Sequence, residues 1–328
     1  MANMNDVAKL AKVSRGTVSN YINGVKIKDI LAQRIEAAIE ELDYVPNQAA
    51  RALKKQSSDT IAFILPTIWT PFFAELTNHL QLELQKRNLK LLLCNSNNDF
   101  HLELEYVKMA KEEKVKGIIT ISYSDIEPYI TSNLPIVSIE RYFNQRVPFI
   151  TSDNFVGARL AAQQLHQRGS KKLLMILRDI PDNLGIYERM NGFIDYCKHE
   201  HLDYEVYCDT GDSLGFASRI DAYLQEMYKQ DCPFDGIFAV TDRYAEYVLH
   251  SFESLPWHIP EDVQLIGFDG ARSYQNQSLT ISTIAQDIEK IAKMSVEELI
   301  NFDNQKERQN KHILPVKFLE FQTTRKLK

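Results

Sequence analysis

The chain has 328 residues, of which 44% are hydrophobic and 25% are charged, and its formal net charge is −6. This composition is typical of globular proteins, and the length exceeds what one compact core usually fills, so we expect two or three cooperating domains. No segment approaches the roughly 18 consecutive apolar residues of a membrane helix, and the first residues lack a signal-peptide pattern, so we expect a cytoplasmic protein.

Charge is distributed unevenly along the chain. Residues 1–57 carry nine Lys or Arg and six Asp or Glu, a net charge of +3, and the remaining residues carry 29 and 38, a net charge of −9. A basic segment suits a polyanionic partner, although a solvated helix face produces the same count. The N-terminal segment is therefore where we look for a nucleic-acid interface.

The first 57 residues predict three short helices. Apolar residues recur at helical spacing over 5–12, from Ser14 to Asn23, and over 29–42. Ser14 is a good N-cap for the second helix, and Gly24 is a C-cap signal. Two helices joined by a very tight turn near a basic N-terminus are typical of a helix-turn-helix, whose second helix enters the major groove of DNA.

From Thr60 onward, short β-rich runs alternate with amphipathic helical stretches. The predicted strands are 61–65, 91–94, 117–121, 136–139, 173–177, 205–208, 236–240 and 265–268, and the predicted helices include 72–87, 101–113 and 284–302. Such alternation indicates parallel sheets covered by helices on both faces. Because the scheme starts again after Asp153, the predicted fold is an α/β body of two doubly wound lobes, and the last helix could belong to either lobe.

Motifs along the whole chain carry a family resemblance. They are Asp6-Val-Ala-x-x-Ala11-x-Val-Ser14-x-x-Thr17-Val-Ser19-x-x-Ile-Asn23, Leu42-x-Tyr44-x-Pro-Asn47-x-x-Ala-Arg51-x-Leu53, Ser152-Asp-Asn154-x-x-Gly157, Glu188-Arg189-x-x-Gly-Phe193 and Gly267-Phe-Asp269. On these motifs the chain resembles the lactose and galactose repressor family. The resemblance implies an all-α helix-turn-helix head with a hinge helix and a two-lobe body like that of periplasmic binding proteins. It also implies a homodimer, or a higher oligomer, that binds double-stranded operator DNA and a small-molecule effector.

The same resemblance implies the domain boundaries. Residues 1–57 form the DNA-binding domain with its hinge helix, and residues 58–328 form the domain for effector binding and dimerisation. The two lobes are expected to interleave, so that about 59–153 joins 286–315 and about 154–285 joins 316–328.

The resemblance places the DNA contacts in the second helix and in the hinge segment. The expected DNA-binding residues are Ser14, Arg15, Gly16, Thr17, Ser19, Asn20, Asn47, Arg51 and Leu53. Hydroxyl groups position the head on phosphates, whereas Arg15, Gly16 and Asn20 are expected to face the bases. Many relatives have arginine in place of Asn20. Because arginine pairs with guanine and asparagine with adenine, we expect an adenine at the half-site position that faces Asn20.

Leu53 lies at the end of a segment, 46–53, that resembles the hinge helix of the family. By that resemblance the helix pairs with its dimer mate in the minor groove, and the leucine wedges into the central base step. The cost of unstacking is recovered by the bend and by the contacts that the bend allows. The alternative is an interdomain linker whose leucine packs on the core.

The resemblance also implies an effector site at the carboxyl ends of the strands, where open α/β sheets bind their ligands. The expected effector-binding residues are Trp69, Phe72, Arg189, Asp242 and Asp269. Phe72 is expected to offer an aromatic face to a sugar ring and Phe73 to pack inward. Arg189 and Asp269 supply a donor fork and acceptor oxygens, which suit vicinal hydroxyls. In the alternatives, Arg189 only bridges the lobes, Asp269 caps the following turn, and Asp242 caps the following helix.

Two departures from the family pattern leave the ligand open. Glu140-Arg141 stands where many relatives have Asp-Arg, and Thr241-Asp242 stands where many have Asn-Asp. The expected effector is a sugar or a sugar derivative. The alternatives are a non-sugar metabolite such as a purine, or control by a phosphorylated carrier protein.

Signals for cofactors and metals are scarce. The sequence contains neither a Gly-x-Gly-x-x-Gly motif nor a phosphate loop, so it predicts no nucleotide cofactor and no enzyme. His199-Glu-His201 resembles a metal motif, but its spacing does not place both imidazoles on one helical face, and a solvated loop is favoured over a metal site. A transporter-associated sugar-binding protein would share the two-lobe body but would lack the basic helical head.

Overall fold

A computed structural model describes residues 2–45, 58–130, 134–143, 147–179, 184–229, 231–302 and 310–327. The chain divides into two compact units, Met1–Ser58 and Asp59–Lys328. Each unit has its own hydrophobic core, and each is described here by itself. No helix within these described ranges is both long and apolar enough to span a bilayer.

The first unit contains three helices around one small core. They are α1 (Met4–Leu10), α2 (Arg15–Ile22) and α3 (Asp29–Glu41). Each helix contributes a fully buried residue, Val7, Val18 and Ile35 in turn. The predicted helices are therefore confirmed. The first one ends two residues early because Lys12 adopts a left-handed conformation, with φ of 53°, that turns the chain toward α2.

The second unit begins with a lobe built on a parallel sheet. Its elements are β1 (Thr60–Leu65), α4 (Pro71–Gln85), β2 (Lys90–Asn95), α5 (Phe100–Glu112), β3 (Gly117–Thr120), β4 (Ile136–Ile139) and β5 (Phe149–Ser152). Alternate residues of β1 face different sides of the sheet. Phe63 packs toward the cluster beneath α4, and Ile64 packs toward the cluster beneath α5. This two-sided burial explains why the strand reads as a continuous apolar run.

A second lobe repeats the same scheme. Its elements are α6 (Asn154–Gln167), β6 (Lys172–Arg178), α7 (Tyr187–His199), β7 (Asp203–Asp209), α8 (Phe216–Tyr228), β8 (Gly236–Ala239), α9 (Asp242–Phe252), β9 (Gln264–Asp269) and β10 (Ser282–Ala285). The chain then forms α10 (Ile288–Ile300), β11 (Lys311–Leu314) and β12 (Lys317–Leu319). The predicted α/β fold with two parallel-sheet lobes is therefore confirmed.

The final elements return to both lobes. The first sheet has the strand order β11-β5-β4-β3-β1-β2, and the second has the order β12-β10-β9-β8-β6-β7. All neighbours are parallel except β10 and β12, which pair antiparallel. The chain therefore passes between the lobes after β5, after β10 and after β11. These three crossovers lie beside one another. Ser152 Oγ at the first donates to Gln286 Oε1 at the second at 2.6 Å, and the N–H of Asp153 at the first donates to the carbonyl of Leu314 at the third at 2.8 Å.

The prediction of one continuous helix over 284–302 was wrong at its start. Ile284 lies in β10, where it is buried in the core of the second lobe, and the helix begins only at Ile288. The β-branched run that precedes Ala285 fits a central strand. Beyond it, α10 packs against α4 through apolar residues such as Val296, so this helix belongs to the first lobe.

Candidate functional site

Helix α2 presents polar groups to solvent at its start and one turn further on. Ser14 is its N-cap, because its Oγ accepts a hydrogen bond from the backbone N–H of Thr17 at 3.1 Å. Arg15, Gly16 and Asn20 are exposed, and Gly16 and Asn20 lie one helical turn apart on the same side. The helix thus offers a guanidinium and a carboxamide, the two groups that most often read guanine and adenine edges.

The other hydroxyl groups of α2 are partly engaged within the helix. Thr17 Oγ1 lies 2.9 Å from Ser14 Oγ, and Ser19 Oγ accepts from Asn23 Nδ2 at 3.3 Å. Each hydroxyl keeps further hydrogen-bonding capacity for a phosphate. The three remaining predicted DNA contacts, Asn47, Arg51 and Leu53, lie outside the described residues.

In the second unit, the strand ends of the second lobe enclose the guanidinium of Arg189. This side chain is only 3% exposed. Its Nε donates to Asn154 Oδ1 at 2.7 Å, and its Nη1 donates to the carbonyl of Val240 at 2.5 Å and lies 3.6 Å from Asp269 Oδ1. The guanidinium also stacks on Phe268, 3.5 Å from the ring centroid. The structure therefore brings the predicted pair Arg189 and Asp269 together at the end of β9.

Asp269 and Asp242 have different surroundings although they are neighbours. Asp269 Oδ1 accepts from Gln286 Nε2 at 2.9 Å, next to the crossover after β10. Asp242 uses both oxygens, since Oδ2 accepts from the N–H of Gly270 at 2.8 Å and Oδ1 accepts from Thr283 Oγ1 at 2.6 Å. The alternative in which Asp242 caps the following helix is wrong. Thr241 is the N-cap of α9, and Asp242 supports the loop that carries Asp269.

Burial shifts the titration of this cluster. It raises the pKa of Asp269 from 3.8 to about 8 and that of Asp242 to about 6, and the nearby guanidinium of Arg189 opposes both shifts. Burial also lowers the pKa of Arg189 itself. Desolvation therefore outweighs pairing with Arg189, and carboxyl groups with strongly raised pKa values are common at functional sites.

Replacing Asp269 with asparagine is expected to flatten the pH dependence of stability. Because the folded-state pKa exceeds the unfolded value, the folded protein binds more protons between about pH 4 and pH 8, and its stability falls as pH rises through that window. Asparagine keeps the acceptor oxygen for Gln286 and Arg189 but cannot ionise. A decline on the order of 1 kcal/mol per pH unit should largely disappear. Thermal unfolding from pH 5 to pH 8 measures this, with the exposed Asp195→Asn as the control. Parallel curves for Asp269→Asn and the wild type would contradict it.

The first lobe contributes polar groups that sequence reasoning did not place in the site. The sequence marked Glu140 only as a departure from the family pattern. In the structure Glu140 is buried, and its Oε2 accepts from Asn154 Nδ2 at 3.0 Å, which links it to Arg189. Tyr123 follows β3, and burial raises the pKa of its phenol, with the charges of Glu140 and Asp269 adding to the rise. The signal available for Tyr123 was its position three residues after Thr120, the last residue of β3.

The aromatic residues at the start of α4 differ from their prediction. Phe72 and Phe73 are 7% and 8% exposed, and their rings pack edge to face, 5.5 Å apart, in the core of the first lobe. The predicted contrast between an open Phe72 and an inward Phe73 is wrong, because the helix begins at Pro71 with Thr70 as its N-cap and both rings point inward. Trp69 in the preceding loop is 82% exposed, so it is the aromatic face that this segment offers.

The described residues give no support to a metal centre. Within these ranges, no group of three or more His, Cys, Asp and Glu side chains could hold a metal ion. His199 is exposed, and its Nδ1 lies 3.0 Å from the carboxylate of the adjacent Glu200.

One pattern of hydrolases, Gly-x-Ser-x-Gly, occurs at 211–215. In α/β-hydrolases this pattern holds a serine at a sharp turn beside a histidine. Here the loop wraps the guanidinium of Arg219, which donates from Nε to Asp209 Oδ1 at 2.7 Å, and a Cβ on Gly211 or Gly215 would lie 2.3 Å from an Arg219 atom. Ser213 is exposed, and in the described part of the chain no hydrogen bond joins it to a histidine. The glycines therefore make room for arginine.

Comparison with known proteins identifies similar sequences and folds. Residues 3–47 match the family described as bacterial regulatory proteins, lacI family, and residues 162–322 match the periplasmic binding protein-like domain. The sucrose operon repressor of Streptococcus mutans is 31% identical, over 97% of this chain and 98% of its own length. The ribose operon repressor of Bacillus subtilis is also 31% identical, over 99% of each chain.

A solved structure shares the fold at low sequence identity. The crystal structure of the lac repressor dimer bound to operator and the anti-inducer ONPF superimposes with a TM-score of 0.85. The match covers 98% of this chain and 99% of that one, at 18% identity. At this identity the likeness establishes the fold alone.

Proposed function

Because the chain belongs to the lacI family of bacterial regulatory proteins, we propose that it is a cytoplasmic repressor that binds a palindromic operator as a homodimer and responds to an uncharged sugar. The sugar would occupy the cleft between the two lobes and change the affinity of the helix-turn-helix head for DNA. The relatives are transcriptional repressors, which confirms the prediction of a DNA-binding regulator rather than an enzyme.

The buried pair of Arg189 and Asp269 carries the effector proposal. Asp269 ends β9, the guanidinium of Arg189 from α7 lies 3.6 Å from its carboxylate, and both groups interact electrostatically with Tyr123 of the first lobe. The pair combines a planar donor with acceptor oxygens. Such a combination binds the neighbouring hydroxyls of a sugar. Trp69 adds an aromatic face at the rim, whereas Phe72 and Asp242 support the site from behind. The names of the relatives, sucrose and ribose operon repressors, point to the same ligand class.

The charge balance of the cluster favours an uncharged sugar over a sugar phosphate. Three carboxyl groups, Glu140, Asp242 and Asp269, interact electrostatically with the guanidinium of Arg189. A phosphate would add a dianion to a buried cluster that already holds more acidic than basic groups. Arg189 is the guanidinium that acts on both Asp242 and Asp269, and its single charge would not recover the desolvation and the like-charge repulsion.

A thermal-shift measurement with D-ribose, sucrose, D-ribose 5-phosphate and hypoxanthine tests the effector proposal. An unphosphorylated sugar should raise the melting temperature, since a ligand at 100 times its Kd stabilises the folded state by about 2.7 kcal/mol. Ribose 5-phosphate should give no shift, and Asp269→Asn should abolish the shift that Asp195→Asn retains. A shift with hypoxanthine alone would favour a purine effector. A protein that responds to no small molecule would point to the carrier-protein alternative.

The DNA side of the proposal assigns Arg15, Gly16 and Asn20 to the bases and Ser14, Thr17 and Ser19 to phosphates. One helix-turn-helix reads a half-site, so a symmetric dimer fits a palindrome with half-sites about one helical turn apart. Asn47, Arg51 and Leu53 stay predictions for the hinge segment within domain 1–57. An effector coupling of roughly 1 to 3 kcal/mol between the lobes and the head would change operator occupancy about 5- to 150-fold.

Replacing Asn20 with arginine is expected to change one base of the preferred half-site from adenine to guanine. Each bidentate pair contributes roughly 1 to 3 kcal/mol of discrimination, so the preference should switch by at least about fivefold. Selection from a library of randomised palindromes, repeated with wild type and Asn20→Arg, measures the change. Lys26→Ala, an exposed change after α2, serves as the control. Guanine at that position in the wild-type selection would refute the assignment.

A further inference from the structure

The loop after β9 holds an unusual backbone directly beside the proposed effector site. Asp269 has φ of 129°, which L residues rarely adopt, and Gly270 follows with φ of 65°. A Cβ on Gly270 would lie 2.6 Å from the Cβ of Ala285, so only glycine fits there. Such strain persists only where surrounding contacts hold it, and it is common at switch regions.

Contacts from both lobes hold this loop. In the second lobe, the N–H of Gly270 donates to Asp242 Oδ2. On the other side, Ala271 is buried within the core cluster of the first lobe, the cluster that also contains Phe72 and Phe73 of α4. The N–H of Arg272 then donates to Glu75 Oε2 in α4 at 2.6 Å. Residues 270–272, which directly follow Asp269, therefore connect its carboxylate to the first lobe.

We infer that Glu75 is a positioning residue, which sets the carboxylate of Asp269 for the effector by holding the loop 269–272 on the first lobe. The inference rests on the proposed function. A hydrogen bond from a backbone N–H to a carboxylate is among the stronger ones in proteins, and this one crosses from lobe to lobe. Without it, the strained loop loses an anchor three residues from Asp269, and the carboxylate is no longer held in one place. Effector binding must then order this carboxylate, which weakens the affinity.

Two substitutions separate positioning from simple support. Glu75→Gln keeps an acceptor oxygen for the N–H of Arg272, whereas Glu75→Ala removes it. Glu289→Ala is the matched control, because Glu289 is an exposed glutamate in the first turn of α10, the helix that packs on α4. All three proteins are compared as full chains, and the melting temperature of each establishes that it is folded.

The affinity for whichever of D-ribose and sucrose gives the larger thermal shift is the first readout. We expect the Kd to rise about tenfold in Glu75→Ala, a loss of about 1.4 kcal/mol in binding free energy. It should stay near the wild-type value in Glu75→Gln and Glu289→Ala. A merely structural role would lower the melting temperature of Glu75→Ala and leave the Kd unchanged. A wild-type Kd in folded Glu75→Ala overturns the inference.

Hydrogen exchange at the Arg272 amide is the second readout, and it needs no ligand. The amide should be protected in the wild type and in Glu75→Gln, and its exchange should be at least about tenfold faster in Glu75→Ala. Equal exchange in all variants overturns the inference whether or not a sugar binds. If the wild type binds neither sugar, the proposed effector class fails, and the exchange rates still decide whether Glu75 holds the loop.

Discussion

Replacing Arg189 with leucine is expected to lower the free energy of unfolding by about 3 to 5 kcal/mol, because it removes one partner of a buried charge pair. Leucine fills part of the volume of the arginine. It leaves Asn154 Oδ1 and the carbonyl of Val240 without the hydrogen bonds that the guanidinium now donates to them. It also leaves the carboxyl of Asp269 without its guanidinium partner. Urea denaturation at about pH 9, above the raised pKa of Asp269, is followed by circular dichroism and measures the loss.

An exposed ion pair between neighbouring helices provides the control. Arg159 of α6 and Asp195 of α7 form a salt bridge, but their side chains are 35% and 47% exposed. Arg159→Leu should therefore cost less than about 1 kcal/mol. In the double variant Arg189→Leu with Asp269→Asn, part of the loss should return, since the carboxyl group that lost its partner can no longer ionise. Equal losses of unfolding free energy for Arg189→Leu and Arg159→Leu would contradict the burial of the pair of Arg189 and Asp269.

Replacing Gly192 with alanine is expected to destabilise the second lobe by about 3 kcal/mol, because α6 and α7 cross in backbone contact at this position. A Cβ at Gly192 would lie 2.1 Å from the carbonyl oxygen of Phe155 and 2.9 Å from its carbonyl carbon. Neither atom belongs to a side chain that could rotate away. The two helices would have to separate, and Arg189, one turn earlier in α7, would move with them. Urea denaturation again measures the effect.

Gly16 is the matched control, because it also lies inside a helix. The nearest atom to a Cβ at Gly16 is Ser14 Oγ at 3.5 Å, an ordinary contact. Alanine there should leave the unfolding free energy unchanged or raise it by roughly 0.5 to 1 kcal/mol, the usual gain for glycine to alanine in a helix. A Gly192→Ala protein as stable as the wild type would contradict the close approach of α6 and α7.

Local patterns predicted most of the elements and the DNA-reading helix. Helical periodicity placed α1, α2 and α3 within two residues of their ends, and Ser14 was recognised as an N-cap from its type and position. Local patterns were less reliable where a short apolar run suited both states. Ile284 was predicted to start a helix. In the structure it lies in β10, which pairs with β9 on one side and with β12 on the other. The predicted contrast between Phe72 and Phe73 was wrong, because alternation within a first helical turn does not reveal which side meets a core.

The sequence by itself determined the fold class and the helical head, since periodicity and short motifs depend on neighbours along the chain, and the family resemblance singled out Arg189 and Asp269. The tertiary structure alone decided how Glu140 and Tyr123 join that pair and how Glu75 reaches the N–H of Arg272, 197 positions away. Such contacts arise only when both sheets are assembled and the chain has crossed between the lobes three times. No local pattern encodes them, because each depends on the packing of every element between its two partners.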